Sequence, residues 1–219
     1  MSGVVQVELY DTTLRDGAQR AGLSYSIEDR LRILHRLDSM GFPYVEGGWP
    51  GANPRETEFF RLATKEKLQH ATLTAFGMTR KAGERAEDSA VLRDLLDAGT
   101  EVVCLVGKSW DLHVTEALRT TLDEGVAMVR DSIAFLRSEG RRVFFDAEHF
   151  FDGYRSNVAF ALRVLDVAQA VGALAHSVGA EIVLYDRDRE YVMPRARYNE
   201  ARSFIEAGLQ DFSVSRTNF

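Results

Sequence analysis

The sequence predicts an α/β fold, an incomplete (β/α)8 TIM barrel with six to seven parallel strands. Three observations predict it. Short β-branched or aromatic runs alternate with amphipathic helical periods along the 219 residues, a pattern that implies parallel strands joined by right-handed crossovers. Several runs end in a polar or glycine-rich cluster: Asp11-Thr12-Thr13-Leu14-Arg15-Asp16-Gly17, Glu46-Gly47-Gly48 and Asp146-Ala147-Glu148-His149. The C-terminal rim of a barrel is where reactive groups gather. Finally, no GxGxxG or GxxxxGK[ST] opens any helix, which removes the main argument for a nucleotide-binding open sheet.

The elements follow in order. Val4 to Leu9 reads as a strand. Ser26 starts a helix, with Asp29 as its capping acid, Ile27, Leu31, Leu34 and Leu37 as its apolar stripe, and Gly41 as its stop. Phe42 to Val45 is a second strand and Glu56 to Leu68 a second helix, entered through Asn53-Pro54, which read as an ordinary helix cap. Ala71 to Phe76 and Val102 to Val106 are strands flanking a helix over 86–98. One long helix is expected from Thr115 to Ser138, stopping at Gly140. Arg142 to Ala147 forms the fifth strand, followed by a helix from Val158 to Val171. The tail reads as a strand (Glu181 to Tyr185), a helix (Arg195 to Ala207) and a short strand (Phe212 to Val214). A full barrel of this type takes about 250 residues, so this chain is expected to leave the cylinder open.

Bulk properties restrict the function classes. A net charge of −6 and a pI near 5.5 argue against a non-specific nucleic-acid or anionic-membrane surface. Cys104 is the single cysteine, so no intramolecular disulfide is expected, and its place in an apolar strand reads as inert core. The N-terminus has no basic start and no apolar run, and the weakly polar stretch from Ala159 to Ala180 is broken by Arg163, Asp166, Gln169 and His176. A cytoplasmic protein is expected.

The chemistry concentrates at the strand ends. An adjacent Arg15-Asp16 at the end of a strand can set a fixed cation beside a hard oxygen ligand. A buried ion pair tying the loop to the barrel is the alternative. His149 reads as a rim or packing histidine, since Ala147 precludes a His-x-His pair. Trp110 and His113 fall in the loop after the fourth strand, where substrate contact and simple exposure are both open. Phe59-Phe60 and Phe144-Phe145 read as packing.

Tyr10-Asp11-Thr12-Thr13-Leu14-Arg15-Asp16-Gly17-Ala18-Gln19 resembles the signature of the metal-dependent TIM-barrel synthases and lyases, a group that includes isopropylmalate synthase, homocitrate synthase and hydroxymethylglutaryl-CoA lyase. Together with Val45-Glu46-Gly47-Gly48-Trp49-Pro50-Gly51-Ala52-Asn53-Pro54 and Phe144-Phe145-Asp146-Ala147-Glu148-His149-Phe150-Phe151-Asp152-Gly153-Tyr154, it is most similar to the citramalate synthase family, over residues 1–173. The resemblance implies a condensation of acetyl-CoA with pyruvate, belonging to isoleucine synthesis, and a homodimer. In that reading Arg15 and Glu148 are catalytic, Gln19, Glu46 and Asp146 bind substrate, and Asp16 is a ligand to Mg2+ or Mn2+. After Ala173 the expected Cys-Asp-Thr-Asn-Gly-like and His-x-His-Asn-Asp-like motifs are missing, so the metal site is expected to be incomplete and activity impaired or absent in these 219 residues. Residues 174–219 form a divergent βαβ tail, and 184–219 resemble a short internal stretch of methionyl-tRNA synthetases, without their HIGH or KMSKS signatures. A retro-aldol lyase of the same superfamily and a non-catalytic fragment or fusion are the alternative readings.

Overall fold

The computed structural model describes residues 8–173, together with the backbone of 175–178 and 181–183. The predicted helix over 195–207, the strand over 212–214 and the segment resembling methionyl-tRNA synthetases lie outside the described residues. Strands run in sequence order through one sheet: β1 (Tyr10–Asp11), β2 (Tyr44–Gly48), β3 (Thr72–Met78), β4 (Val102–Lys108), β5 (Arg142–Glu148), β6 (Ala175–Val178) and β7 (Glu181–Val183). Each neighbouring pair from β1 to β6 is parallel. The β6–β7 pair is antiparallel, so the parallel set has six members and the seventh strand is a hairpin return. Sequential parallel order is the arrangement of a barrel, here an open one.

Helices α1 (Ile27–Ser39), α2 (Pro54–Ala63), α3 (Ala90–Asp97), α4 (Leu122–Ser138), α5 (Phe150–Ser156) and α6 (Val158–Ala170) lie between the strands in sequence. At α1 the Ser26 hydroxyl accepts from the Asp29 amide while the Asp29 carboxylate accepts from the Ser26 amide, a reciprocal capping box. At α2 the Asn53 side chain accepts from the amides of Arg55 (3.0 Å) and Glu56 (3.1 Å), with Pro54 in the first turn. Side chains alternate along each strand. Val45, Leu73, Ala75, Val103, Leu105, Val143 and Phe145 face the helices in one large core. Tyr44, Phe76, Val102, Cys104 and Phe144, with Tyr10 and Val106, line the opposite, inner face. Phe59 and Phe60, both buried, seat α2 on this core, each contributing roughly 1.5–3 kcal/mol.

Several elements depart from their predicted bounds. Residues 4–7 of the first predicted strand lie outside the described residues; within these the first strand covers Tyr10–Asp11, with Leu9 exposed before it. Strands β2 to β5 extend further toward their C-terminal ends than their apolar runs, because the polar and glycine residues there continue the ladder. The long helix predicted from Thr115 is two pieces. A π-type turn covers His113–Ala117, Arg119 takes a left-handed conformation at φ 54°, and the Thr121 hydroxyl caps α4 by accepting from the Glu124 amide. Helix α5 and strand β6 were not expected from periodicity, being seven and four residues long.

Candidate active site at the strand ends

The loop after β1 is fixed by its own polar groups. Asp11 accepts from the amide (2.9 Å) and hydroxyl (3.0 Å) of Thr13, and the Thr12 carbonyl accepts from the amides of Arg15 and Gly17. Leu14 plugs into the core at 2% exposure, which turns Arg15 toward the inner face of the sheet. There its guanidinium donates through Nε to Glu46 Oε1 and lies 4.1 Å over the ring of Phe76. Glu46, on β2, is 1% exposed and also accepts from the Tyr10 hydroxyl at 2.6 Å. Its two oxygens are thus committed to a cation and a phenol, which satisfies a charge that would otherwise be costly to bury.

The electrostatics follow from this burial. Burial pushes the Glu46 carboxyl up, and Arg15 and Tyr10 pull it back only in part. Burial disfavours the Arg15 cation, but the Glu46 carboxylate more than compensates and holds it above its ordinary value. Burial, then the neighbouring Cys104 and Glu46, hold the Tyr10 phenol well above its ordinary range. Cys104 is raised for the same reason, by burial first and then by Glu46 and Asp146. The buried thiol belongs to the inner-face cluster of Tyr44, Phe76, Val102 and Phe144 rather than to the core beneath the helices.

The structure brings Arg15, Asp16 and Glu46 together, with Asp16 Oδ1 3.6 Å from the Arg15 guanidinium. Gln19 is exposed on the turn Gly17–Gln19 and borders a cleft of about 320 Å³ shared with Arg15, Trp49, Asn53 and Phe76. Asp146 is half-buried on β5, close enough to Cys104 to act on its thiol. Glu148, two residues further along the same face, pairs with Lys108, its register partner on β4. The predicted residues therefore form two neighbouring groups: Arg15 and Asp16 in the loop after β1 with Glu46 on β2, and Asp146 and Glu148 on β5.

Tyr10, Phe76 and Lys108 were missed by sequence reasoning. Lys108 carried a usable signal, a lysine closing the apolar run from Val102 to Gly107. Tyr10 was read only as the start of the rim motif and Phe76 as an ordinary strand residue, and only the register shows which face they take. Among the described residues no three His, Cys, Asp or Glu side chains are grouped to hold a metal ion, and Asp16 offers one oxygen donor. No helix among them is long and apolar enough to cross a membrane.

Known proteins resemble this chain in sequence and in fold. The (R)-citramalate synthase of Synechocystis is 54% identical over 165 residues, covering 75% of this chain and 30% of that protein. The (R)-citramalate synthase of Streptomyces coelicolor is 54% identical over 166 residues, covering 75% and 31%. The chain thus spans about a third of the length of these curated relatives. The crystal structure of a Bacillus subtilis HMG-CoA lyase superposes with a TM-score of 0.64 at 15% identity, covering 93% of this chain and 65% of the other, a likeness of fold. The family model described as HMGL-like matches residues 6–189. On these grounds the chain belongs to the HMGL-like family.

Proposed function

We propose that the chain carries the keto-acid end of an (R)-citramalate synthase-type site, which condenses acetyl-CoA with pyruvate. The observation that supports this most is Arg15, held over Phe76 by a buried carboxylate at the C-terminal ends of parallel strands. A guanidinium fixed in this way is pre-oriented toward the oxygen on which negative charge develops when a carbonyl is attacked. In this reading Glu46 and Tyr10 prevent Arg15 from following the ground state, and Gln19 and Asp146 contact the substrate. Glu148 removes a proton from the acetyl methyl group, and the resulting carbon nucleophile attacks C2 of pyruvate. The keto oxygen becomes an alkoxide beside Arg15 and takes up a proton. Water then cleaves the thioester, releasing citramalate and the CoA thiol.

A divalent cation, Mg2+ or Mn2+, belongs to this reading, with Asp16 as one oxygen ligand, and would add Lewis-acid polarisation of the keto acid. Such ions take about six oxygen ligands, so Asp16 by itself does not make a metal site. The acidic composition and the lone reduced cysteine support a cytoplasmic enzyme acting on small molecules, and assembly as a homodimer completes the proposal. The test is release of free thiol from acetyl-CoA with pyruvate and Mg2+ or Mn2+ in the same assay. Thiol release that requires pyruvate supports the proposal. Cleavage of a hydroxyacyl thioester without acetyl-CoA, and no pyruvate-dependent thiol, would assign a lyase instead.

A further inference from the structure

Beyond Glu148 the chain makes an unusual turn. His149 takes the left-handed conformation at φ 55°, ψ 33°, and α5 begins at once. A non-glycine residue there costs of order 1 kcal/mol and persists only when its surroundings hold it. What holds it is a box of rings from the loop after β4. His113 packs edge-on against His149 at 4.6 Å between centroids and against Trp110 at 4.8 Å, with Trp110 6.0 Å from His149. The two chain segments are joined below by the Ser109 amide, which donates to the Glu148 carbonyl at 3.1 Å, and by Gly153, packed onto the Ser109 carbonyl with no room for a side chain. His113 itself stands on the π-type turn, a geometry frequent at functional sites.

We propose that His113 is a positioning residue for Glu148: while neutral it holds the left-handed turn at His149, and on protonation it releases it. The proposal deepens the condensing-site reading, in which Glu148 moves the proton. Its chemistry rests on the ring box. Both His113 Nδ1 and Trp110 Nε1 are buried without a hydrogen-bond partner among the protein groups. A neutral imidazole leaves there one unpaired acceptor. An imidazolium would bury an unpaired N–H carrying charge, a much costlier arrangement. The charged and titratable groups facing His113 are His149 and Asp152 from α5, Lys108 from β4 and Glu148 from β5. Of the two acids in the loop, Asp111 and the exposed Glu116, Asp111 accepts from the Ser156 hydroxyl at 3.1 Å. Burial, then His149 and Lys108, hold the His113 imidazole below its ordinary value, and Glu148 and Asp152 act the other way.

Trp49 and Trp110 are the two tryptophans, so Trp49→Phe leaves Trp110 as the reporter, quenched when an adjacent imidazole protonates. Its emission is titrated from pH 8 to pH 4 in the full chain. The expected result is a quenching step with a midpoint below about 6.5, absent in His113→Asn. Glu148→Gln lowers that midpoint by about 0.3–1 unit, and Lys108→Met raises it by a similar amount. A step that survives His113→Asn overturns the proposal, as does a Glu148→Gln midpoint within about 0.1 unit of the parent. If His113→Asn loses its far-UV circular dichroism, the Glu148→Gln and Lys108→Met titrations decide, since both alter half-exposed side chains. No substrate enters this experiment. A coupled titration in a chain that does not bind pyruvate sinks the condensing reading and leaves the positioning role standing, and pyruvate binding with an uncoupled titration does the reverse.

Discussion

Glu46→Gln is expected to stabilise the protein at pH 8, although it removes the negative charge on which the site is built. The carboxyl is 1% exposed, and burial raises it above its ordinary value despite Arg15 and Tyr10. A carboxyl whose folded value exceeds its unfolded value binds its proton more tightly when folded. Its contribution to stability is therefore largest below the ordinary carboxylate range and is lost as pH climbs through the raised value. At pH 8 the wild type bears the cost of the buried charge, and glutamine, the shape of the protonated acid, removes it. Replacing a whole buried ion pair by neutral groups is neutral or stabilising by about 1–4 kcal/mol, and removing one partner outright costs about 3–5 kcal/mol; glutamine, which keeps a contact to Arg15, falls between these limits. The amide keeps two hydrogen bonds, its oxygen accepting from Arg15 and its NH2 donating to the Tyr10 oxygen. For a chain of this length each kcal/mol moves Tm by about 2–4 °C. Thermal melts at pH 8 and pH 4.5 are the assay. The expected result is a higher Tm for Glu46→Gln at pH 8 and a smaller difference at pH 4.5. A Tm lower by more than about 4 °C at both pH values would refute the reasoning, because the loss would then be one of packing and not of charge.

The remaining predictions concern the scaffold. Asp38 is buried at 6% exposure and accepts from the amides of Gln69, His70 and Ala71, tying α1 to the start of β3. Asp38→Ala removes the acceptor shared by three N–H groups, those of exposed Gln69 and His70 and of half-buried Ala71, and is expected to cost about 1–3 kcal/mol in denaturant melts. Burial pushes this carboxyl up, but the three amides outweigh it and hold it below its ordinary value. Its stabilisation is therefore present above the ordinary carboxylate range and is lost as pH falls through the lowered value, so wild type and Asp38→Ala converge in acid. Gly153→Ala drives a Cβ into the Ser109 carbonyl and to 2.9 Å from Trp110 Cα, and the expected loss in the same melts is about 1–3 kcal/mol.

How much of this was legible depends on the range over which each signal acts. The α1 stripe and its cap are local, and Leu34 and Leu37 are buried while Ser26 and Asp29 form the box. The rim motifs were legible because strand ends collect polar residues, and Arg15 does meet Glu46 across 31 positions of sequence. The division of the rim residues into two groups was not legible. It follows from the β4–β5 register, which sets Lys108 opposite Glu148 and so gives that carboxylate its own cation. The break before α4 had a readable mark, Thr121 three residues ahead of Glu124, but the apolar period runs through it from Val114. His149 was read as a rim or packing histidine, and its exposed ring lies against that of His113. That its backbone is left-handed cannot be seen in a histidine, where a glycine would have signalled it.

The account depends on Arg15 receiving the keto acid, and calorimetric titration of pyruvate in buffer containing Mg2+ measures this directly. Arg15→Gln is compared with wild type and with Arg32→Gln, whose side chain is 72% exposed on α1. The account predicts affinity at least about tenfold weaker for Arg15→Gln, a loss of about 1.4 kcal/mol, and no change for Arg32→Gln. Equal pyruvate affinity in wild type and Arg15→Gln would contradict it.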